Sequence, residues 1–462
     1  MFSRHTAWTA GPGPLDLALA DLRRAGVPVH DLTVSNPTAL GFTYPVDRYR
    51  GLVDERSAHY DPASLGLASA RRAVADYYTR RGAADIDPDA IGLCASSSEA
   101  YTYLLALLCD PGDAVLVPQP GYPLLRVIAE LAHVELVPYP LLYDGTWSID
   151  QLGLEHALAG APRARALVAV APNNPTGNYL APAELRALDA ALAARGIAML
   201  VDEVFWDYPL VPGPHPSPAL GPRDALTFIL SGLSKVAALP QLKLAWWLAL
   251  GPPALVAAAM ARLELVADTY LSAATPVQLA LPGLLAAAPA MQARIIARCR
   301  HNLDRLRDTC RGTALTVLEL EAGWTALLRL PAVHDLDDAG WALHLLRHGH
   351  ILTQPGHLFD LGDPPRLALS LLTPKPTSIP SAPARAASIC AIWPACPGRK
   401  RRWARPRKRP TTSATASTAA PNATSSAWPT TRRPTLPCAS GGTPSALRGR
   451  PCPPGSASSR PG

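Results

Sequence analysis

The chain has 462 residues, 48% of them apolar, enough to bury the cores of about two domains. No run of 18 consecutive apolar residues occurs, and the opening MFSRHTAWTAGPGPLD lacks the apolar segment of a leader, so membrane and secreted classes give way to a soluble, cytoplasmic protein with no membrane contact. The formal net charge of +7 is uneven: residues 374–462 hold 15 of the 43 Lys and Arg and none of the 36 Asp and Glu, leaving an acidic body that gives no reason to expect a specific nucleic-acid partner.

In chain order, short apolar runs predict buried strands at 91–94, 114–118, 134–139, 165–171, 197–202 and 226–230, with helical periodicity between most of them, as over 181–196. Such alternation predicts a mostly parallel sheet covered on both faces. From about 251 the pattern turns to long helices, including 293–310, followed by short strands over 313–320 and 325–330, which marks a second, smaller domain. Cys94, Cys109, Cys299 and Cys310 show no CxxC spacing, so neither a metal site nor a disulfide framework is expected. From Pro374 onward no period survives and disorder is expected. That acid-free text, rich in Pro, Arg, Ala and Ser, resembles GC-rich coding DNA read out of frame; a nucleic-acid-binding arm built on GRKRRWARPRKR (398–409) is the alternative.

In a parallel α/β sheet, ligands bind beyond the carboxyl ends of the strands. ASSSEAY (95–101) follows the run 91–94 and opens an apolar helix. There Ser96, Ser97 and Ser98 would offer hydroxyls and backbone N–H groups to an anion, while an ordinary helix cap with Glu99 in the first turn is the plainer reading. APNNPTG (171–177) reads by itself as a turn. Asp202 closes an apolar run, where a carboxylate needs a specific positive partner or a neighbouring arginine. The run 226–230 delivers Ser231, Gly232, Leu233, Ser234 and Lys235 to the same edge. A lysine in apolar surroundings has a lowered pKa and suits Schiff-base chemistry, although a structural lysine that snorkels to water fits the same residues. Taken together, an anion site, a buried carboxylate and a buried lysine match the phosphate, ring nitrogen and aldehyde of pyridoxal 5′-phosphate.

The order of NNPTG, VDEVF and SGLSK with LPQLK resembles the class I/II aminotransferases, pyridoxal-phosphate enzymes of fold type I, over roughly residues 30–373. The resemblance implies an N-terminal segment (1–40) associated with the small domain and a large cofactor domain (41–265) with a mostly parallel sheet flanked by helices. A smaller α/β domain (266–373), short of the family's last helix, and the tail (374–462) would follow. It further implies that Lys235 forms the Schiff base and moves the substrate proton, and that Asp202 keeps the ring nitrogen protonated. Asn174 would bond the ring hydroxyl oxygen and border the substrate, Tyr122 would stack on the ring, and Ser97 and Ser98 would hold the phosphate. Ser231 or Ser234 would add a hydroxyl. Lys243 stands where many members carry an arginine to the phosphate, keeping the charge without the fork. Tyr60 matches a tyrosine that reaches the neighbouring subunit's phosphate, so a homodimer is expected, and Arg366 matches the arginine that binds the substrate α-carboxylate. Phe205, Gly232 and Ala238 depart from a more frequent tyrosine, serine and glycine. The implied reaction moves an amino group between an amino acid, a neutral side chain being favoured, and a 2-oxo acid. A β-eliminating C–S lyase would share every cofactor residue, and a defective translation product whose basic tail binds nucleic acid non-specifically is a third reading.

Overall fold

The structure, a computed structural model, describes residues 2, 3, 6, 8, 11–84, 86–332 and 336–374. Apart from Pro374, the disorder, out-of-frame and basic-arm readings of the tail lie outside these residues. The chain enters through the helix Pro14–Arg24 and a short strand, β1 (His30–Asp31). Eight strands then make the large sheet: β2 (Ile91–Cys94), β3 (Ala114–Gln119), β4 (Glu135–Tyr143), β5 (Trp147–Ile149), β6 (Ala164–Val170), β7 (Ala198–Asp202), β8 (Thr227–Gly232) and β9 (Ala245–Leu250). Their spatial order is β2-β9-β8-β7-β6-β3-β4-β5. The pairs β8–β7, β7–β6, β6–β3 and β3–β4 are parallel, whereas β9 runs against both neighbours and β5 closes a hairpin on β4.

The predicted mostly parallel sheet is therefore present, and its strands are apolar on both faces because helices cover both. Side chains alternate between two cores: Leu116, Leu167, Met199, Val201, Ile229 and Trp246 pack on one face. Val115, Val168, Leu200, Phe228, Leu230 and Trp247 pack on the other, beneath the helix Ser97–Leu108. The reversed strand β9 was not among the expected strands. It fits against β2 because Gly92 lies opposite Trp247, and a Cβ there would sit 2.0 Å from the indole.

After the sheet comes a 36-residue helix, Thr275–Cys310, longer than the expected 293–310 because Pro282 and Pro289 are carried inside it. Each interior proline costs about 3 kcal/mol of helix propensity, which the packing of Val277, Leu281, Leu284, Leu285 and Ala288 into the large core offsets. Its first half is long and apolar enough to cross a membrane, but that apolar stripe is the one turned into protein.

Further strands are β10 (Thr316–Val317), β11 (Thr325–Arg329), β12 (Ile351–Leu352), β13 (Gln354–Pro355) and β14 (Arg366–Ser370). They form an antiparallel sheet ordered β10-β11-β14-β13, while β12 pairs in parallel with β1 and so ties the N-terminal segment to this part of the chain. Of the expected strand 313–320, only Thr316–Val317 forms.

Candidate active site

A cavity of roughly 690 Å3 opens at the carboxyl edge of the large sheet. Several of its polar residues lie at the ends of strands or in the segments that follow them. At the end of β2, Ser96 caps the helix Ser97–Leu108: its Oγ accepts the Glu99 N–H at 3.1 Å, and Glu99 Oε2 accepts the Ala95 N–H at 2.6 Å. Ser96 and Glu99 close the cap, and Ser96, Ser97 and Ser98 all line the cavity at the helix N-terminus.

Asp202 ends β7 on the face shared by Leu200 and Leu230, and is 8% exposed. Its Oδ2 accepts the Tyr101 hydroxyl at 3.1 Å and its Oδ1 accepts the Val204 N–H at 3.1 Å. Burial pushes its pKa up to about 6, against the pull of these two donors and of the Lys235 charge. The arginine that a buried carboxylate could have needed belongs to the next residue. Arg81 forks onto Glu203 at 2.7 and 2.9 Å, with both side chains buried and the guanidinium 3.6 Å from the centre of the Trp206 ring.

Lys235 lies in the single turn Leu233–Val236 after β8. Its Nζ stands 5.0 Å from the ring centre of Trp324 and 5.4 Å from that of Phe205, and burial lowers its pKa while Asp202 opposes the shift. The turn is anchored from outside itself: the Tyr208 hydroxyl donates to the Lys235 carbonyl, the Tyr44 hydroxyl to the Ala237 carbonyl at 2.9 Å and Gln292 Nε2 to the Val236 carbonyl at 2.8 Å. Ala238 follows with φ +54°, the left-handed conformation that its methyl group disfavours. At Gly232, φ is extended, yet an added Cβ would lie 2.8 Å from that of Ala245. Close approach of β9 is the local reason for glycine there.

The NNPTG turn is held by Asn173, whose Nδ2 donates to Pro120 O at 3.1 Å and Thr176 Oγ1 at 2.7 Å, which leaves Asn174 at the cavity wall. Gly177 has φ +74°, and a Cβ there would strike the Ala322 carbonyl at 2.7 Å. This contact brings the loop before β11, with Trp324, to the site.

The cavity therefore gathers Ser97, Ser98, Tyr122, Asn174, Asp202, Ser234 and Lys235. Ser231, Lys243, Tyr60 and Arg366 are not part of its wall. Ser231 is fully buried one residue out of phase with Leu230 and Gly232, on the opposite face of the sheet. Lys243 is exposed, at φ +48°, and Tyr60 is 74% exposed. Arg366 opens β14 opposite Arg329; its Nη1 donates to Gly362 O at 2.8 Å and its Nε is buried with no partner among the described residues. Burial, then the Arg329 charge, lowers its pKa.

Tyr101 and Trp324 were not anticipated. Tyr101 had a signal in the sequence, lying four residues after Ser97 on the same helical face. Trp324 had none, because it arrives through a contact far along the chain. Among the described residues no cluster of His, Cys, Asp and Glu could hold a metal ion.

A buried carboxylate, a lysine of lowered pKa and a serine-bearing helix start around one cavity suit the ring nitrogen, aldehyde and phosphate of pyridoxal phosphate. The fold and the site define a pyridoxal-phosphate enzyme of fold type I. The family described as aminotransferase class I and II matches residues 45–377, and the chain belongs to that family. A glutamate-pyruvate aminotransferase, AlaA, of Haemophilus influenzae is 31% identical over 277 residues, which span 58% of this chain and 66% of that protein. An alanine aminotransferase of Mycobacterium bovis is 29% identical over 364 residues, 78% of this chain and 79% of that one. In fold, the alanine aminotransferase of Pyrococcus furiosus superposes with a TM-score of 0.75 at 22% identity, covering 85% of this chain and 98% of the other. The chain spans just under two thirds of the length of the Haemophilus relative.

Proposed function

We propose that this protein is an aminotransferase that exchanges an amino group between a neutral amino acid, alanine among them, and a 2-oxo acid. The observation that carries this reading is the convergence of Asp202, Lys235 and the Ser97–Ser98 helix start on one cavity. The names of the relatives, glutamate-pyruvate and alanine aminotransferase, support a small neutral substrate.

Bound there, pyridoxal phosphate supplies an aldehyde for the amino group and a ring that delocalises the electrons left at a deprotonated Cα. The chain's own residues do the rest. Lys235 Nζ, kept in larger part as the neutral amine because burial lowers its pKa, takes and returns the proton at the substrate Cα. Asp202 holds a proton on the ring nitrogen. Ser97 and Ser98, with Ser234 beside Lys235, hold the phosphate, while Asn174 and Tyr122 orient the ring. Phe205 offers ring contact but no hydroxyl. Arg366 takes the substrate α-carboxylate once its Nη1 leaves Gly362 O, and its Nε has no partner among the described residues. Tyr60 and Lys243 stand at the surface, and Tyr60 serves the cavity of a second copy, so a homodimer is part of the proposal. So are the boundaries at 265 and 373 and a cytoplasmic location.

The test is to supply purified protein with pyridoxal phosphate, alanine and 2-oxoglutarate. Formation of pyruvate and glutamate in equal amounts is expected. Release of pyruvate and ammonia from cystathionine with no oxo-acid acceptor, and no transamination, would make it a C–S lyase instead.

A further inference from the structure

We propose that Tyr101 is a positioning residue that fixes the Asp202 carboxylate for the cofactor's ring nitrogen; this rests on the reading of Asp202 given above. Among the described residues the carboxylate has one donor on each oxygen, and the two come from different elements. Val204 N–H belongs to the turn that follows β7, whereas the Tyr101 hydroxyl comes from the helix Ser97–Leu108, across the sheet face. Both Asp202 and Tyr101 line the cavity, and both are less than a tenth exposed.

A buried tyrosine hydroxyl needs only one acceptor, and a backbone carbonyl would serve, as Val168 O serves Tyr139 at 2.9 Å. Tyr101 instead spends its donor on the acidic group at the end of β7. The donor is neutral. It orients the carboxylate without cancelling its charge, which an arginine in that place would do, as Arg81 does for the adjacent Glu203. The full negative charge therefore remains available to a protonated ring nitrogen. Tyr101 also lies four residues after Ser97, so one helical turn carries both the hydroxyl offered to the phosphate and the donor that sets the carboxylate. The two ends of the cofactor are thereby referred to one rigid element.

The test uses Tyr101→Phe, which keeps the ring and removes the donor, alone and combined with Asp202→Asn. Each apoprotein is titrated with pyridoxal phosphate, and the ring-nitrogen 15N resonance is recorded with 15N-labelled cofactor. Tyr101→Phe is expected to raise Kd about tenfold, the effect of one hydrogen bond to a charged group, and to move the resonance toward the unprotonated position. In the Asp202→Asn background the same change should alter Kd less than about twofold, since the two residues form one unit. An unchanged Kd and resonance in Tyr101→Phe, while Asp202→Asn weakens binding, would overturn the proposal and leave the reading of Asp202 intact. An equal loss in both backgrounds would show a merely structural tyrosine and overturn it too. If Asp202→Asn itself changes neither quantity, the reading of Asp202 fails and the proposal falls with it.

Discussion

The eight-stranded and four-stranded sheets both reach the cavity, but they hold it by different means. Asp202 and Lys235 sit at the ends of adjacent central strands, and the backbone around Lys235 is fastened by Tyr208, Tyr44 and Gln292. The segment between β13 and β14 meets the large sheet through partly exposed contacts: Arg126 to Asp360 at 3.1 Å, Gln119 Nε2 to Asp360 O at 3.4 Å and Gly121 N–H to Phe359 O at 3.1 Å. Exposed pairs of this kind are worth about 0–1 kcal/mol each. Asp202 and the Lys235 turn thus stand on hydrogen-bonded ladders, whereas the segment between β13 and β14 is held by partly exposed polar contacts and by Phe359 and Leu361, which pack into the core of the large sheet.

The comparison breaks most visibly at Lys235. Lys235→Ala should lower turnover at least about 10^3-fold while the fold persists, because the proton carrier is lost from an otherwise intact frame. Near-normal transamination by this variant would move the chemistry elsewhere. Next comes the frame itself. Glu203→Gln strands Arg81 in the interior and should cost about 3–5 kcal/mol in a denaturant melt. A loss below about 1 kcal/mol would mean that the strand-end region is not the stiff one.

Asp202→Asn separates stability from function. The folded pKa of about 6 is raised above the ordinary 3.8, so burial penalises the ionised form, which still predominates above pH 6. Stability owed to this group is full below pH 4, declines as pH rises toward 6 and is lowest above it. The asparagine variant of the apoprotein should therefore be more stable at pH 7.5 by on the order of 2 kcal/mol, the gain shrinking toward pH 4, while its catalytic rate falls by orders of magnitude. An apoprotein no more stable than the parent at pH 7.5 would contradict the burial argument.

On the other sheet, Arg366→Ala should raise KM for amino acids by about thirtyfold, near 2 kcal/mol, and Arg366→Lys should restore little because the fork is lost. Unchanged kinetics would remove Arg366 from the substrate path. The smallest effect belongs to Ala238→Gly, which relieves a left-handed alanine but gives up a buried methyl. These two terms, about 1–2 and about 0.8 kcal/mol, should leave a net gain of under about 1 kcal/mol in thermal stability.

How legible each region was follows the same division. Most of the parallel strands were readable as short apolar runs, and Asp202 and Lys235 stood out as charges at or just beyond the ends of two of them. Parity was not readable. Ser231 and Gly232 look equally placed in sequence, and only the pairing with β9 decides that Gly232, in phase with Leu230, faces the cavity while Ser231 faces away. Strand β9 itself hid behind Lys243, because AWWLAL follows a charged turn and pairs with β2 from far away in sequence. Trp324 depends on contacts between distant segments, which no local pattern encodes. Tyr101 was visible as an aromatic on a serine-started helix, but its acceptor lies 101 residues away.

The most direct test of the account is chemical. Protein loaded with pyridoxal phosphate is reduced with borohydride, digested and mapped by mass spectrometry. The account predicts that the cofactor mass is fixed on the peptide bearing Lys235, and that Lys235→Ala abolishes the adduct. An adduct on Lys243 or another lysine, or none at saturating cofactor, would contradict it.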